Sequence, residues 1–173
     1  MKPTLIIYSS TDGQTKKICL RIQSSLDQNV SSKLVSLNDA SKENLDKFDR
    51  IIIGASIRYG KHKKELFEFI NLNLDQITRK ENAFFSVNVV ARKPEKNTPQ
   101  TNPYMQKFLL NTLWKPDYLA VFAGKIDYPK YNFIDKQMIR LIMWITKGPT
   151  DTSGIYEFTN WDDVDSFAKQ IVA

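Results

Sequence analysis

Residues 4–15 read TLIIYSSTDGQT: an apolar run, 4–8, followed at once by Ser9, Ser10, Thr11, Asp12, Gly13, Gln14 and Thr15. Five of those seven loop residues carry hydroxyl or amide side chains, one is glycine and none is basic. The segment that follows, 15–26, places Ile18, Ile22 and Leu26 on one stripe at helical spacing. A strand therefore ends in a loop that runs into a helix N-terminus. Such a loop aims several backbone N–H groups at one point, and the helix dipole adds partial positive charge there. The hydroxyls of Ser10 and Thr15 can donate further hydrogen bonds, and Gly13 permits close approach of the backbone. A monoester phosphate can be held in this way without lysine. The same letters also describe a plain turn whose Asp12 or Thr11 starts the helix. Neither G-x-x-x-x-G-K-[ST] nor G-x-G-x-x-G is present to decide the matter, so position must.

Working outward, three more apolar runs resemble the first: 49–57 (DRIIIGASI), 83–90 (AFFSVNVV) and 118–124 (YLAVFAG), with 33–37 (KLVSL) a weaker fifth. Near-continuous β-branched and aromatic runs indicate strands covered on both faces. Helical spacing recurs between them at 64–77, 101–113 and 161–172. The alternation predicts an α/β fold: a single doubly wound domain over residues 1–173, with a five-stranded parallel sheet and helices on both faces. Ligands in such sheets bind beyond the carboxyl ends of the strands, which directs attention to loops 9–15, 54–63, 86–100 and 124–153. About thirty residues separate Gly124 from a short extended piece at 154–158, too many for a turn. A helical insertion, approximately 125–153, is expected to split or follow the last strand.

The chain has 173 residues, 42% of them hydrophobic and 25% charged, as in folded soluble domains. One cysteine, Cys19, excludes an internal disulfide, and a single histidine argues against a zinc centre; no metal is expected. The start, MKPTLIIYSS, predicts no signal peptide, and no apolar run approaches the length of a transmembrane helix. These features predict a cytoplasmic location. The net charge of +6 calls for an anionic partner: nucleic acid, a lipid surface or an acidic substrate. Only the charge suggests nucleic acid, and none is expected.

The loop GASIRYG, residues 54–60, is framed by two glycines and offers the aromatic face of Tyr59. Arg58, Lys61, Lys63 and Lys64 follow with no acid in 58–64, which suits carboxylate attraction as well as a solvated face. In 86–104, SVNVVARKPEKNTPQTNPY, Pro99 and Pro103 predict an irregular core. Asn88 stands where a carboxamide can bond a ligand edge. His62, alone in a basic run, reads as a solvated bystander, and Cys19 as buried packing.

The first loop resembles the phosphate loop of the flavodoxin superfamily, T/S-x-T-G-x-T, departing from it by placing Asp12 directly before Gly13. An acid there must point away from a phosphate, as by capping the helix. Together, SSTDGQT, IGASIRYG, SVNVVARKPEKNTPQTNPY and LIMWITKGPTDT are similar to the menaquinone-dependent protoporphyrinogen IX dehydrogenases, in the same order and over nearly the whole chain. The resemblance implies FMN as cofactor, with phosphate contacts from residues 9–15. Ala55, Ser56, Ile57, Arg58, Tyr59 and Gly60, with Ser86, Val87, Asn88, Val89, Ala91 and Arg92, would border the flavin ring. It also implies protoporphyrinogen IX as electron donor and menaquinone or ubiquinone as acceptor. Propionate contacts are expected from Arg58, Lys61, Arg92 or Lys93; no residue stands out as a catalytic base. A flavodoxin-type carrier and an NAD(P)H:quinone reductase of the same fold are the alternatives, and a homo-oligomer is compatible with all three.

Within the insertion, residues 133–147 place Ile134, Met138, Leu141, Ile142 and Ile145 in a narrow apolar arc. Lys136, Arg140 and Lys147 fall in a separate arc about 40° wide. Fifteen residues make about 22 Å of helix, too short to span a bilayer. Residues 125–147 carry five cations against two acids, net +3. The stripe alone describes equally a helix packed on the domain. With a lipid-soluble acceptor it points to peripheral contact with anionic membrane, at the inner face of the cell membrane.

Overall fold

The structure, a computed structural model, describes residues 2–26 and 30–173. Five parallel strands form its centre: β1 (Thr4–Ser9), β2 (Ser32–Ser36), β3 (Arg50–Ser56), β4 (Glu81–Val87) and β5 (Tyr118–Phe122), in the spatial order β2-β1-β3-β4-β5. The connections carry α1 (Gln14–Leu26), α2 (Leu37–Ala40), α3 (Lys64–Leu72), α4 (Leu74–Thr78) and α5 (Pro103–Leu110). Register explains the uninterrupted apolar runs. Leu5, Ile7, Ile51, Ile53 and Phe84 face a core shared with Leu66 and Ile70 of α3 and Met105 and Phe108 of α5. Ile6, Ile52 and Phe85 face Ile18 and Ile22 of α1 and the closing helix. Each such buried side chain contributes about 1.5–3 kcal/mol. In mid-β3 a Cβ on Gly54 would lie 2.2 Å from the Phe85 ring, so only glycine lets that ring fill the second core.

The last strand is complete at Phe122, and the insertion follows it rather than splitting it. The chain forms β6 (Lys125–Asp127), crosses to α6 (Phe133–Ile145), and returns as β7 (Ile155–Glu157), antiparallel to β6 in a sheet of their own. Phe158 N–H then donates to Gly124 O at 3.0 Å, and α7 (Trp161–Val172) packs beside α1.

Two expected helices differ. The segment 64–77 breaks at Asn73, whose Nδ2 donates to Phe69 O at 2.8 Å. The carboxamide shares that acceptor with Asn73 N–H, which is split between Phe69 O and Ile70 O at 3.2 Å each. Pro103, read as a source of irregularity, instead occupies the first turn of α5, where a missing N–H costs nothing. Asn102 caps that helix by accepting from Tyr104 and Met105 N–H.

Candidate active site

The first loop closes on itself. Gly13, at φ 86°, donates its N–H to Ser10 Oγ at 2.9 Å, and the first helical bond runs from Lys17 N–H to Gly13 O at 3.0 Å. The N–H groups of Gln14, Thr15 and Lys16 therefore have no intrahelical acceptor. Gln14 Nε2 donates to Thr159 Oγ1 at 2.9 Å, and that hydroxyl donates to Ala123 O at 2.7 Å, tying the loop to the chain beyond β5. Gln14 Oε1 and Thr15 Oγ1 are buried without a hydrogen-bond partner. An unsatisfied buried hydroxyl costs about 1–3 kcal/mol. The cradle thus offers donors to an anion that the chain itself does not supply, as a phosphate monoester would require.

This cradle is one end of a cavity of about 370 Å³ beyond the carboxyl edge of the sheet. Ser10, Thr11, Asp12, Gln14 and Thr15 line that end. Ser56, Ile57, Arg58, Tyr59 and Gly60 contribute from the β3 loop, and Val87, Asn88 and Val89 from the β4 loop. The β3 loop is held by Ile57 N–H donating to Val87 O at 3.1 Å. It closes through reciprocal bonds between Arg58 and Lys61, with Tyr59 and Gly60 both at positive φ. Tyr59 is consequently lifted clear of the loop. Ser9, Gly13, Ala55, Ser86 and Ala91 lie outside the lining.

The roof is the insertion, which sequence reasoning did not assign to the cofactor site. Tyr131, Asp135, Met138, Ile139, Ile142 and Met143 complete the cavity. A charged knot fastens it. Arg58 pairs with the buried carboxylate of Asp135, Tyr59 OH donates to the other oxygen of that carboxylate, and Asp135 N–H donates to Asn132 Oδ1 at 2.8 Å. Asp12 accepts from Tyr131 OH at 3.4 Å, with Arg58 at 3.9 Å. Asp12 thus turns toward the insertion and leaves the cradle clear, and it does not cap α1. Burial raises its carboxyl pKa, against the opposing pull of Arg58, and burial holds the Tyr131 phenol up at about 12.

Several residues sit differently from expectation. Asn88 spends its carboxamide internally: Oδ1 accepts from Ala91 N–H and from Asn102 Nδ2, and Nδ2 donates to Ser86 Oγ and Asn102 Oδ1. Its backbone is also spent, N–H donating to Phe122 O at 3.1 Å and C=O accepting from Ala91 N–H at 3.3 Å. Arg92 lines neither this cavity nor its neighbour. Its guanidinium donates to Val89 O and to the carbonyl and hydroxyl of Thr146, pinning the β4 loop to the end of α6. Lys93 also lines neither, and Lys61 lines only the neighbouring one. His62 is no solvated bystander. It is buried between the edges of Phe84 and Phe108, with Nε2 at 3.0 Å from Ser86 Oγ, and burial lowers its pKa to about 4. Cys19 is fully buried, which pushes its thiol pKa up and leaves it inert.

A family model described as flavodoxin domain matches residues 5–153. Over 169 residues the chain is 42% identical to protoporphyrinogen IX dehydrogenase [quinone] of Escherichia coli K12, covering 97% of this chain and 93% of that protein. The chain belongs to the protoporphyrinogen IX dehydrogenase family. A member from Leishmania major is 38% identical over 171 residues, 98% of this chain and 74% of its own. Among solved structures, oxidised Flavodoxin 1 from Bacillus cereus superposes with a TM-score of 0.54 at 13% identity, over 98% of this chain and 97% of that one. The Streptococcus pneumonia TIGR4 flavodoxin gives 0.51 at 12%, with the same coverage. They share the fold.

The roof helix docks by a narrow face. Met143 and Asp135 are buried and Ile139 is partly so, whereas Phe133, Ile134, Leu141, Ile142, Trp144 and Ile145 are exposed, Trp144 by 73%. Of the apolar arc read from the sequence, Ile134, Leu141 and Ile145 are exposed and line no cavity, whereas Met138 and Ile142, also exposed in part, line the roof. No described helix is long and apolar enough to cross a membrane.

Proposed function

We propose that the protein oxidises protoporphyrinogen IX to protoporphyrin IX through bound FMN and passes the electrons to a membrane quinone, menaquinone or ubiquinone. The observation that carries this reading is the unpartnered Thr15 hydroxyl at the open N-terminus of α1, facing a roofed, largely apolar cavity. The names borne by its relatives supply the substrate and the acceptor class. FMN, when bound, supplies the capacity to take two electrons from one partner and return them to another.

The chain's own residues bind, orient and screen. The hydroxyls of Ser10 and Thr15, with the N–H groups of Gln14, Thr15 and Lys16 at the start of α1, would hold the phosphate. The Ile57–Gly60 segment and the β4 loop would border the ring, and Met138, Ile139 and Ile142 would keep water from it. Full oxidation removes six electrons and six protons from the tetrapyrrole, so three two-electron rounds each convert one quinone to a quinol. The exposed apolar arc of α6, flanked by Lys136, Arg140 and Lys147, lies on anionic membrane and places the roofed cavity beside the quinone pool.

Anaerobic addition of protoporphyrinogen IX to the FMN-loaded protein should bleach the flavin absorbance. Quinone in vesicles should restore it, with stoichiometric porphyrin fluorescence. Loaded protein that forms no porphyrin yet exchanges electrons with a redox protein would be a carrier instead. Faster turnover with NAD(P)H would make it a quinone reductase.

A further inference from the structure

A second cavity, of about 540 Å³, abuts the first and shares Ile57, Arg58, Tyr59 and Tyr104 with it. Its floor is aromatic, from Phe67 and Phe108, beside the buried ring of His62. Its rim is cationic, from Lys61, Lys63, Lys64 and Lys107, and no carboxylate lines it. Lys64 is paired with Glu68 at 2.9 Å, and Arg58 is taken up by Asp135 and Asp12. Among the described residues, Lys61, Lys63 and Lys107 form no ion pair with any acid. Three ammonium groups therefore gather over an apolar floor with nothing to balance them. The field of Lys107 reaches the floor itself, where it adds to burial in disfavouring protonation of His62.

Unbalanced like charges around a concavity repel one another, and a ligand bearing two carboxylates relieves that repulsion while an apolar body fills the floor. The shared wall sets the direction. A flat molecule with its charged edge among the lysines extends past Tyr59 and Tyr104 into the first cavity. We propose that the second cavity holds the carboxylate-bearing edge of the substrate, with Lys61, Lys63 and Lys107 receiving the two propionates of the tetrapyrrole. The assignment rests on the porphyrinogen reading above. It moves substrate recognition away from Arg92 and Lys93, which face neither cavity, and brings in Lys63 and Lys107 from two different helical edges.

The test compares protoporphyrin IX with its dimethyl ester, which keeps the ring and loses both charges. Binding to the FMN-loaded full-length protein is followed by quenching of flavin and tryptophan fluorescence. The unaltered protein should prefer the diacid about tenfold, the sum of a few partly screened ion pairs. In the combined variant Lys61→Gln, Lys63→Gln, Lys107→Gln the preference should fall to near parity, with FMN affinity unchanged. In turnover the loss should appear in KM for protoporphyrinogen rather than in kcat. A triple variant that keeps the full preference overturns the assignment while leaving the porphyrinogen reading intact. An unaltered protein that binds neither porphyrin and oxidises no porphyrinogen removes both. The combined variant Lys47→Gln, Lys115→Gln, Lys169→Gln, at exposed positions lining neither cavity, is the charge control; loss of the preference there too would show the effect to be one of net charge and sink the proposal.

Discussion

Thr15 combines two properties that seldom coexist without a ligand: it is almost wholly buried, and its hydroxyl has no partner. Thr15→Val keeps the shape and removes the hydroxyl. The flavin-free variant should unfold at the same temperature or higher, because a desolvated polar group has gone, while FMN affinity should fall ten- to a hundredfold. Thermal melts with and without FMN, with a fluorescence titration, read both numbers. A variant that melts lower and binds FMN unchanged would make the hydroxyl structural. His62 gives a pH prediction whose sign follows from its lowered pKa. The unfolded chain takes up the proton near pH 6.5 and the folded one only near 4, so His62 favours the folded state fully above 6.5 and loses that contribution as pH falls toward 4. His62→Leu should flatten urea stability across that window, and a profile as steep as the parent's would assign the slope to other groups. The role of His62 was not legible in the sequence. Its neighbours in the chain are lysines, and the Ser86 and Phe108 that bury it come from other elements. Asn88 misled for the converse reason, since an exposed-looking carboxamide found its partners in Asn102 and Ala91.

At the scale of elements, α6 shows what periodicity can and cannot say. Spacing defined the apolar arc of Ile134, Met138, Leu141, Ile142 and Ile145 but not its partner, because a stripe has the same period whether it faces a core, a cavity or a bilayer. The side that docks is marked by single residues, Met143 in the small core with Ile126 and Tyr128, and Asp135 beneath Arg58. The helix ends where Gly148 N–H donates to Met143 O at 2.6 Å and Lys147 adopts φ 58°. A Cβ on Gly148 would lie 2.6 Å from Met143 Sδ, so the close exit holds the docking residue in place. The combined substitution Ile134→Ser, Leu141→Ser, Ile145→Ser touches only exposed positions. Stability should change by no more than about 0.5 kcal/mol per site. Affinity for anionic vesicles should drop more than tenfold, as the loss of three membrane-buried side chains requires. Sedimentation with vesicles measures it. Unchanged sedimentation, with a parent dimer that the variant dissociates, would give that face to a second copy of the chain.

Across the whole molecule, the parallel strands were readable because both-face burial writes continuous apolar runs, and the crevice because ligand sites follow from strand polarity; their spatial order came from the structure. The first-loop end of the cavity was readable because its residues are consecutive. The roof was not, since Tyr131 and Asp135 reach the loop residues Asp12 and Arg58 only after the chain has passed from α3 through β6. The paired β6 and β7 have a consequence for how such a molecule changes. Lys125 stands directly opposite Glu157, so the excursion leaves and re-enters at one hydrogen-bonded seam. Whatever lies between, the ends stay one strand spacing apart. The seam makes the canopy an exchangeable cassette. A chain in which a short hairpin joins Asp127 to Ile155 should still take up FMN, detectable as yellow protein after gel filtration, while losing the part that chooses its redox neighbours.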